Sequence, residues 1–177
     1  MLTTRQAEDV GVPAVEVRKL AARGALERVG YGTYRHKAVS ADDWTALAGA
    51  LGVVGENTYL EGDTVLALFD LALVNPSKAR VGASHRYRGR PPADVVVSRR
   101  RVPDADLATY HGLRATTVRR ALLDSVDHLL PGRVRDAVAD GERRDLLTGA
   151  ESAEILNAVA ERERNLVKPD HPAAGDR

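Results

Sequence analysis

The sequence predicts an α+β protein, in which an N-terminal winged helix-turn-helix precedes a mixed helical domain with a small β-sheet. Two observations predict it. At the N-terminus, two short helical segments flank a glycine turn and precede two β-prone runs. Further along, amphipathic helical segments alternate with short strand-like runs. The chain of 177 residues suffices for one ordinary domain or two small ones, and its 44% hydrophobic residues can bury a core.

The first helical segment should open with a capping box, because Thr3 is followed three residues later by Gln6. Gly11 is expected to end this helix. Pro13 suits the first turn of a second helix, which should stop at Gly24. On a helical wheel, one face of the second helix should pack inward; it comprises Val17, Leu20, Ala21 and Gly24.

The opposite face of the second helix carries small residues and cations, which suits a helix in the major groove of DNA. A hairpin should follow, because the β-prone residues 26–29 and 33–35 flank a glycine-rich turn. Its cations and tyrosine suit phosphates or the minor groove. The DNA contacts predicted in this unit are Arg18, Lys19, Arg23, Arg28, Tyr31, Arg35 and Lys37. The pattern also fits a solvated helix and hairpin, or a winged helix that binds protein.

The predicted elements divide the sequence into three regions. We place the winged helix-turn-helix in residues 1–38, a C-terminal domain in residues 39–167 and a disordered tail in residues 168–177. The predicted N-terminal elements lack the usual first helix of a winged helix. A helix around Trp44 has apolar residues at helical spacing, and it could cover the core that would otherwise be exposed.

The C-terminal domain should contain further helices and a few strands. Asp63 is expected to cap a helix that buries Phe69 and Leu73. Strand-like runs cover residues 79–83 and 94–98. These runs are the strands of the predicted small sheet.

Three helices are expected after the strands. Thr116 should cap the first, in which Arg120 precedes Asp124 by four residues and so has a potential ion-pair partner. The second covers residues 133–140. The third opens with a Thr-x-x-Glu capping box at Thr148.

Charge is segregated along the chain. Residues 38–74 carry a net charge of −6 and residues 75–120 a net charge of +8, whereas the whole chain carries +1. Such segregation suggests a basic surface that faces a polyanion. In residues 84–92, Arg86 and Arg88 flank a tyrosine, and this arm could track a phosphate backbone or stack on a base. A solvated hairpin loop, or a site for an acidic protein, fits the arm equally.

The composition argues against several other classes of protein. The chain has no cysteine, which excludes disulfides, cysteine zinc sites and a cysteine nucleophile. No apolar run is long enough for a membrane span, and the N-terminus does not resemble a signal peptide, so a cytoplasmic protein is expected. No pair of histidines has metal spacing, and Asp94 is not followed by the Glu-x-Lys of a nuclease. We therefore expect no enzyme activity, metal or cofactor, with a nuclease-related enzyme as the weaker alternative.

Three stretches resemble the AbiEi-type antitoxins, also described as AbiEi-like transcriptional regulators. The first spans residues 4–35 and includes Gly30-Tyr31-Gly32-Thr33-Tyr34-Arg35. The second spans residues 59–71, where Asp63-Thr64-Val65-Leu66 stands in place of the family's frequent Ser-Ala-Leu. The third is Gly112-Leu113-Arg114-Ala115-Thr116-Thr117-Val118-Arg119-Arg120-Ala121-Leu122-Leu123-Asp124, which is similar to a stretch of the family in which Thr is common at the position of Ala121.

The resemblance implies a function for each part of the chain. The N-terminal winged helix would bind inverted repeats in the promoter of a toxin–antitoxin operon and repress transcription. The C-terminal domain would counteract a partner toxin that resembles nucleotidyltransferases, with or without direct contact, in a type IV system. A protein-interaction module without DNA contact remains the alternative.

Overall fold

Seven α-helices and eight strands occur in the part of the chain that the computed structural model describes, which is residues 2–30, 33–36 and 43–167. The strands are β1 (Leu2–Thr3), β2 (Leu26–Gly30), β3 (Thr33–His36), β4 (Thr58–Leu60), β5 (Ala79–Ala83), β6 (Val95–Arg99), β7 (Leu107–Tyr110) and β8 (Leu113–Thr116). The helices are α1 (Thr4–Asp9), α2 (Ala14–Ala22), α3 (Asp43–Val54), α4 (Asp63–Leu68), α5 (Val118–Ser125), α6 (Pro131–Arg143) and α7 (Gly149–Val167). The α+β class is therefore confirmed.

The N-terminal unit consists of α1, α2 and a three-stranded antiparallel sheet in the order β1-β3-β2. The predicted capping box is present, because the Gln6 amide donates to Thr3 Oγ1 and the Thr3 amide donates to Gln6 Oε1. Gly11 and Gly24 have positive φ angles of 83° and 81°, and they reverse the chain after α1 and α2 as predicted. This helix pair is consistent with a helix-turn-helix.

A small core of its own holds the N-terminal unit together. Ala7, Val17 and Tyr34 are buried there, and Ala21 and Leu26 pack against them. The prediction that Leu20 also packs inward is wrong, because 41% of this residue is exposed. A core with only three buried side chains covers a narrow stripe of α2, and Leu20 lies beyond its edge.

The main sheet has five strands in the order β6-β5-β4-β8-β7. The pairs β4–β5 and β7–β8 are antiparallel, whereas β5–β6 and β4–β8 are parallel. The parallel pairing rules out the interpretation of residues 84–92 as a hairpin loop, because a hairpin joins antiparallel strands. These residues instead form a crossover that carries the chain from the end of β5 back to the start of β6, and β6 becomes an edge strand.

Helices α3 to α7 bury the main sheet in one large hydrophobic core. Its fully buried large side chains include Leu60, Leu66, Leu71, Leu122 and Ile155. Helix α3 packs against β4 and β5 and also contacts β2 and β3. The helix around Trp44 thus lies beside the N-terminal unit, yet its buried hydrophobic side chains, Ala50 and Val54, belong to the large core. It supplies a contact with the N-terminal unit rather than a share of that unit's core.

Three predicted helix boundaries in the C-terminal domain are wrong. The N-cap of α4 is Gly62, and Asp63, the predicted cap, is the first residue of the helix. Helix α4 ends at Leu68, and Leu73 is 83% exposed instead of buried. Asp70, Ala72 and Leu73 have φ angles between 51° and 58°, so the chain turns away and Leu71 enters the core in place of Leu73. The cap of α5 is Thr117 and not Thr116, which is the last residue of β8.

No helix in the described ranges has both the length and the apolar character needed to cross a lipid bilayer. The capping box at Thr148 is confirmed, since its amide and hydroxyl both donate to Glu151 Oε2 and the Glu151 amide donates to Thr148 Oγ1. The predicted tail, residues 168–177, lies outside the described residues.

Candidate nucleic-acid interface

Helix α2 presents cations on the side that faces away from the small core. Val17 is fully buried, whereas Arg18, Lys19 and Arg23 are exposed. Lys19 Nζ donates to Glu16 Oε1 over 2.7 Å. Arg18 and Arg23 form no ion pair with any residue in the described ranges. Two guanidinium groups are therefore available to an external anion, and the ammonium group is shared with a carboxylate.

The described part of the hairpin contains only some of the residues predicted to contact DNA. Arg28 is exposed on β2, next to an irregularity in the pairing between Arg28 and Gly30. Arg35 lies on β3 in register with Glu27. Tyr31 and Lys37 fall outside the described residues, so their predicted roles rest on the sequence.

A second basic region follows β5, β6 and the crossover between them. Residues 71–103 contain eight basic residues and one acidic residue. Seven of the eight are exposed, and none of these seven forms an ion pair within the described residues. We call this set the basic edge: Lys78, Arg80, Arg86, Arg88, Arg90, Arg99 and Arg101. Besides the predicted Arg86 and Arg88, the basic edge thus contains five further cations that lie on or beside β5, β6 and the crossover between them.

The crossover is anchored to the protein by its own apolar residues. Tyr87 is half-buried and packs against the main core, and Pro91 and Pro92 are also half-buried. Arg86 and Arg88, on either side of Tyr87, are exposed. The buried ring therefore holds the chain in place while both neighbours point away from the core, and Tyr87 is not free to stack on a base.

Other arginines of the C-terminal domain form a chain of ion pairs. We call it the ion-pair chain, and it comprises Arg100, Asp124, Arg120, Asp106, Arg119 and Glu154 in that order. Arg100 and Arg120 lie 2.7 Å and 2.8 Å from the Asp124 carboxylate, so the predicted pair of Arg120 with Asp124 is confirmed. The ion-pair chain connects the end of β6, the turn before β7, α5 and α7.

The electrostatics of the ion-pair chain favour its charged form. Burial lowers the pKa of Arg100, but the hydrogen bond to Asp124 and the charge of that carboxylate outweigh it, so the pKa is raised overall. Two hydrogen bonds of 2.6 Å join Arg119 to Glu154, and they lower the pKa of Glu154. These arginines are committed to internal partners, unlike those of the basic edge.

Beside the ion-pair chain lies a buried carboxyl group. Glu61 is buried, and one of its oxygens accepts a 2.6 Å hydrogen bond from Ser98 Oγ. The nearby Tyr59 hydroxyl donates to the Arg100 carbonyl over 2.8 Å, and burial raises the pKa of Tyr59. Within the described ranges, no three His, Asp or Glu side chains come together as metal ligands would.

A cleft of about 1160 Å³ separates α1 from α3 and from the turn that contains His111. The rings of Trp44 and His111 contact each other in its wall, with centroids 4.2 Å apart and planes tilted by 38°. Arg5 and Glu56 form an exposed ion pair of 2.8 Å across it. Because exposed pairs of this kind contribute little, we expect the packing of α3 against β2 and β3 to hold the N-terminal unit more firmly.

A helix pair with a cationic outer face, followed by a hairpin, is consistent with the helix-turn-helix regulators. Residues 1–35 match the family model of the transcriptional regulators described as AbiEi antitoxins. This match confirms, over those residues, the family resemblance seen in the sequence, and the family that matches there is one of transcriptional regulators. No curated protein matches the chain.

Proposed function

We propose that the protein is the antitoxin of a bacterial toxin–antitoxin operon and represses its own promoter by binding inverted repeats. Residues 1–38 would form the winged helix-turn-helix, and residues 39–167 would counteract a nucleotidyltransferase-like toxin in a type IV system. The observation that carries the proposal is the family match, which covers the two helices and the hairpin of the N-terminal unit. Both promoter and toxin would place the protein in the cytoplasm.

The exposed face of α2 supports a role in the major groove. Small Ala22 lies beside exposed Arg18 and Arg23, so the helix backbone could approach the base edges closely. Arginine can bond guanine in a bidentate manner or neutralise a phosphate. Because neither guanidinium has an acidic partner within the described ranges, binding DNA would break no ion pair of theirs.

The basic edge supports a second set of contacts that do not depend on sequence. Seven exposed cations, none of them in an ion pair with a described residue, lie on or beside β5, β6 and the crossover between them. Such groups gain most from phosphates, whose counterions they release. Arg86 and Arg88 would then contact the duplex backbone, while α2 reads the bases.

DNA binding is tested with the chain's own promoter in a gel competition against scrambled DNA at fixed salt. Arg18→Ala should lower affinity for the promoter by more than it lowers affinity for scrambled DNA. The matched control is Arg133→Ala, because Arg133 is an exposed arginine on α6, and it should leave both affinities unchanged. An unchanged ratio in Arg18→Ala would mean that this residue does not read sequence.

The antitoxin role is tested by separating the two regions. Deletion of residues 1–37 should abolish promoter binding and retain rescue of cells that express the toxin encoded beside the gene. Circular dichroism of the deleted protein must first show a folded chain, because α3 contacts β2 and β3. A folded protein without rescue would refute the division of labour between the two regions.

One observation favours a second candidate function, a protein-interaction module. Val10 and Val15 on the N-terminal unit are 76% and 49% exposed, and Val12 and Leu20 are exposed as well. Where exposed apolar side chains form one contiguous patch, the surface is typical of those that bind other proteins. If variants of Arg18 and of the basic edge bind all DNA as the wild type does, this alternative gains support.

A further inference from the structure

Glu16 is an acidic residue of α2, a helix whose other charged residues are cations. It lies in the first turn of α2, and 46% of its side chain is exposed. At 100° per residue, Glu16 lies about 60° from Lys19 around the helix, whereas buried Val17 lies about 160° from Lys19. Glu16 therefore belongs to the flank of the outward face, close to the end of the helix where recognition helices contact base edges.

A carboxylate in this position needs a specific reason if the face binds DNA. It is repelled by phosphates, and it can accept hydrogen bonds but cannot donate them. In the major groove, guanine offers only acceptors and thymine offers an acceptor and a methyl group. Adenine offers a donor next to the acceptor N7, and cytosine offers the N4 amino group alone. Cytosine is thus the base that suits a carboxylate best.

Lys19 offsets the negative charge that Glu16 would bring near DNA. Its ammonium group donates to Glu16 Oε1 over 2.7 Å, which orients the carboxylate and offsets its charge. The second carboxylate oxygen takes no part in this bond and is left to accept from a base. The pair as a whole is neutral, so it costs less than a lone glutamate beside phosphates.

We infer that Glu16 selects a cytosine in the operator and that Lys19 positions its carboxylate. The inference rests on the proposed function, since it requires α2 to lie in the major groove. It also assigns the reading of at least one base to a residue other than Arg18. Lys19 in this arrangement is a positioning residue.

The test is selection of binding sites from a pool of random DNA duplexes by the full chain. The wild type should enrich a motif that contains cytosine at one position. Glu16→Ala should lose the preference at that position by about five- to tenfold and keep the rest of the motif. Glu16→Gln should shift the preference towards adenine, because an amide can bond both N6 and N7.

The matched control is Glu8→Ala, which removes an exposed carboxylate from α1 and should leave the motif unchanged. A Glu16→Ala motif identical to the wild-type motif would overturn the inference, and the pair would then be an ordinary surface ion pair of the helix. A wild-type chain that enriches no sequence would overturn the proposed function as well, so the two failures are distinguishable.

Discussion

The basic edge and the ion-pair chain contain the same residue type but use it in opposite ways. At the basic edge, six arginines and one lysine are exposed and form no ion pair with the described residues. In the ion-pair chain, three arginines alternate with three carboxylates, and all of these groups except the exposed Glu154 lie partly buried between elements of the fold. In the first arrangement the charges are available to an external polyanion, and in the second they form ion pairs that stabilise the fold.

The contrast is sharpest within Arg99-Arg100-Arg101, where the two arrangements meet. Arg99 and Arg101 are exposed at the basic edge, whereas the Arg100 side chain is 32% exposed and pairs with Asp124. Successive residues of extended chain point to opposite sides. A run of three arginines is therefore split, and composition alone does not tell which guanidinium is free.

The largest effect is expected where the ion-pair chain loses Asp124, the acid that Arg100 and Arg120 share. Asp124→Asn should lower the free energy of unfolding by about 2–3 kcal/mol, because Arg100 and Arg120 would both lose a charged partner while partly buried. Urea unfolding measures the change. Asp94→Asn is the control, since Asp94 is exposed just before β6. This substitution should change the free energy of unfolding by less than about 0.5 kcal/mol. Equal effects of the two changes would contradict the comparison.

The next effect concerns the basic edge and appears in DNA binding. Replacing Arg86, Arg88 and Arg90 by Gln should lower promoter affinity about tenfold near 0.1 M salt and reduce the salt-dependence slope by up to about 2.7. Stability should change by less than about 0.5 kcal/mol, because no ion pair within the described residues is lost.

A matched triple variant removes the same charge elsewhere. Arg135, Arg143 and Arg164 are exposed arginines on α6 and α7, and their replacement by Gln should leave the salt slope unchanged. If both triple variants flatten the slope equally, net charge rather than the basic edge governs binding.

A smaller effect depends on pH and concerns the outer end of the ion-pair chain. Arg119 lowers the pKa of Glu154 below its ordinary value of 4.5. Because the folded pKa is lower than the unfolded one, the pairing stabilises the protein above pH 4.5, and this contribution disappears as the pH falls through the folded pKa. Glu154→Gln should therefore be less stable than the wild type at pH 7, with a difference that shrinks in acid. Urea unfolding at a series of pH values checks this, and a difference independent of pH would refute it.

The smallest effect on stability is expected for an ion pair that is exposed, which distinguishes the contribution of pairing from that of burial. Arg143 pairs with Asp140 at 2.7 Å, yet 73% of its side chain is exposed. Arg143→Gln should therefore change the free energy of unfolding by less than about 0.5 kcal/mol. A loss as large as that of Asp124→Asn would mean that pairing alone, without burial, accounts for the ion-pair chain.

Most of the N-terminal unit could be predicted from the sequence, since its features are local. The capping box at Thr3, the glycine turns and the hairpin are set by residues a few positions apart, and the structure confirms them. The burial of Leu20 could not be predicted in the same way. It depends on how wide a stripe of α2 the neighbouring elements cover, which a helical wheel does not contain.

Three strands of the main sheet, β4, β7 and β8, were not predicted. Each has only three or four residues, too few to show a clear alternation of polar and apolar positions. They become strands because partners distant in sequence supply their hydrogen bonds. For the same reason, most of the ion-pair chain cannot be recognised from the sequence, because Arg120 and Asp124 are its one pair with the spacing of neighbours on a helix.

By itself, the sequence determined the α+β class, the local caps and turns, and the excess of cations between residues 75 and 120. The tertiary structure decided that β5 and β6 run parallel, that α4 stops before Leu73, and which arginines pair with acids. Caps and turns depend on hydrogen bonds between near neighbours, so short stretches of sequence suffice to specify them. Strand direction, burial and ion pairing depend on groups that meet only when distant segments pack together, and so they are settled by the fold as a whole.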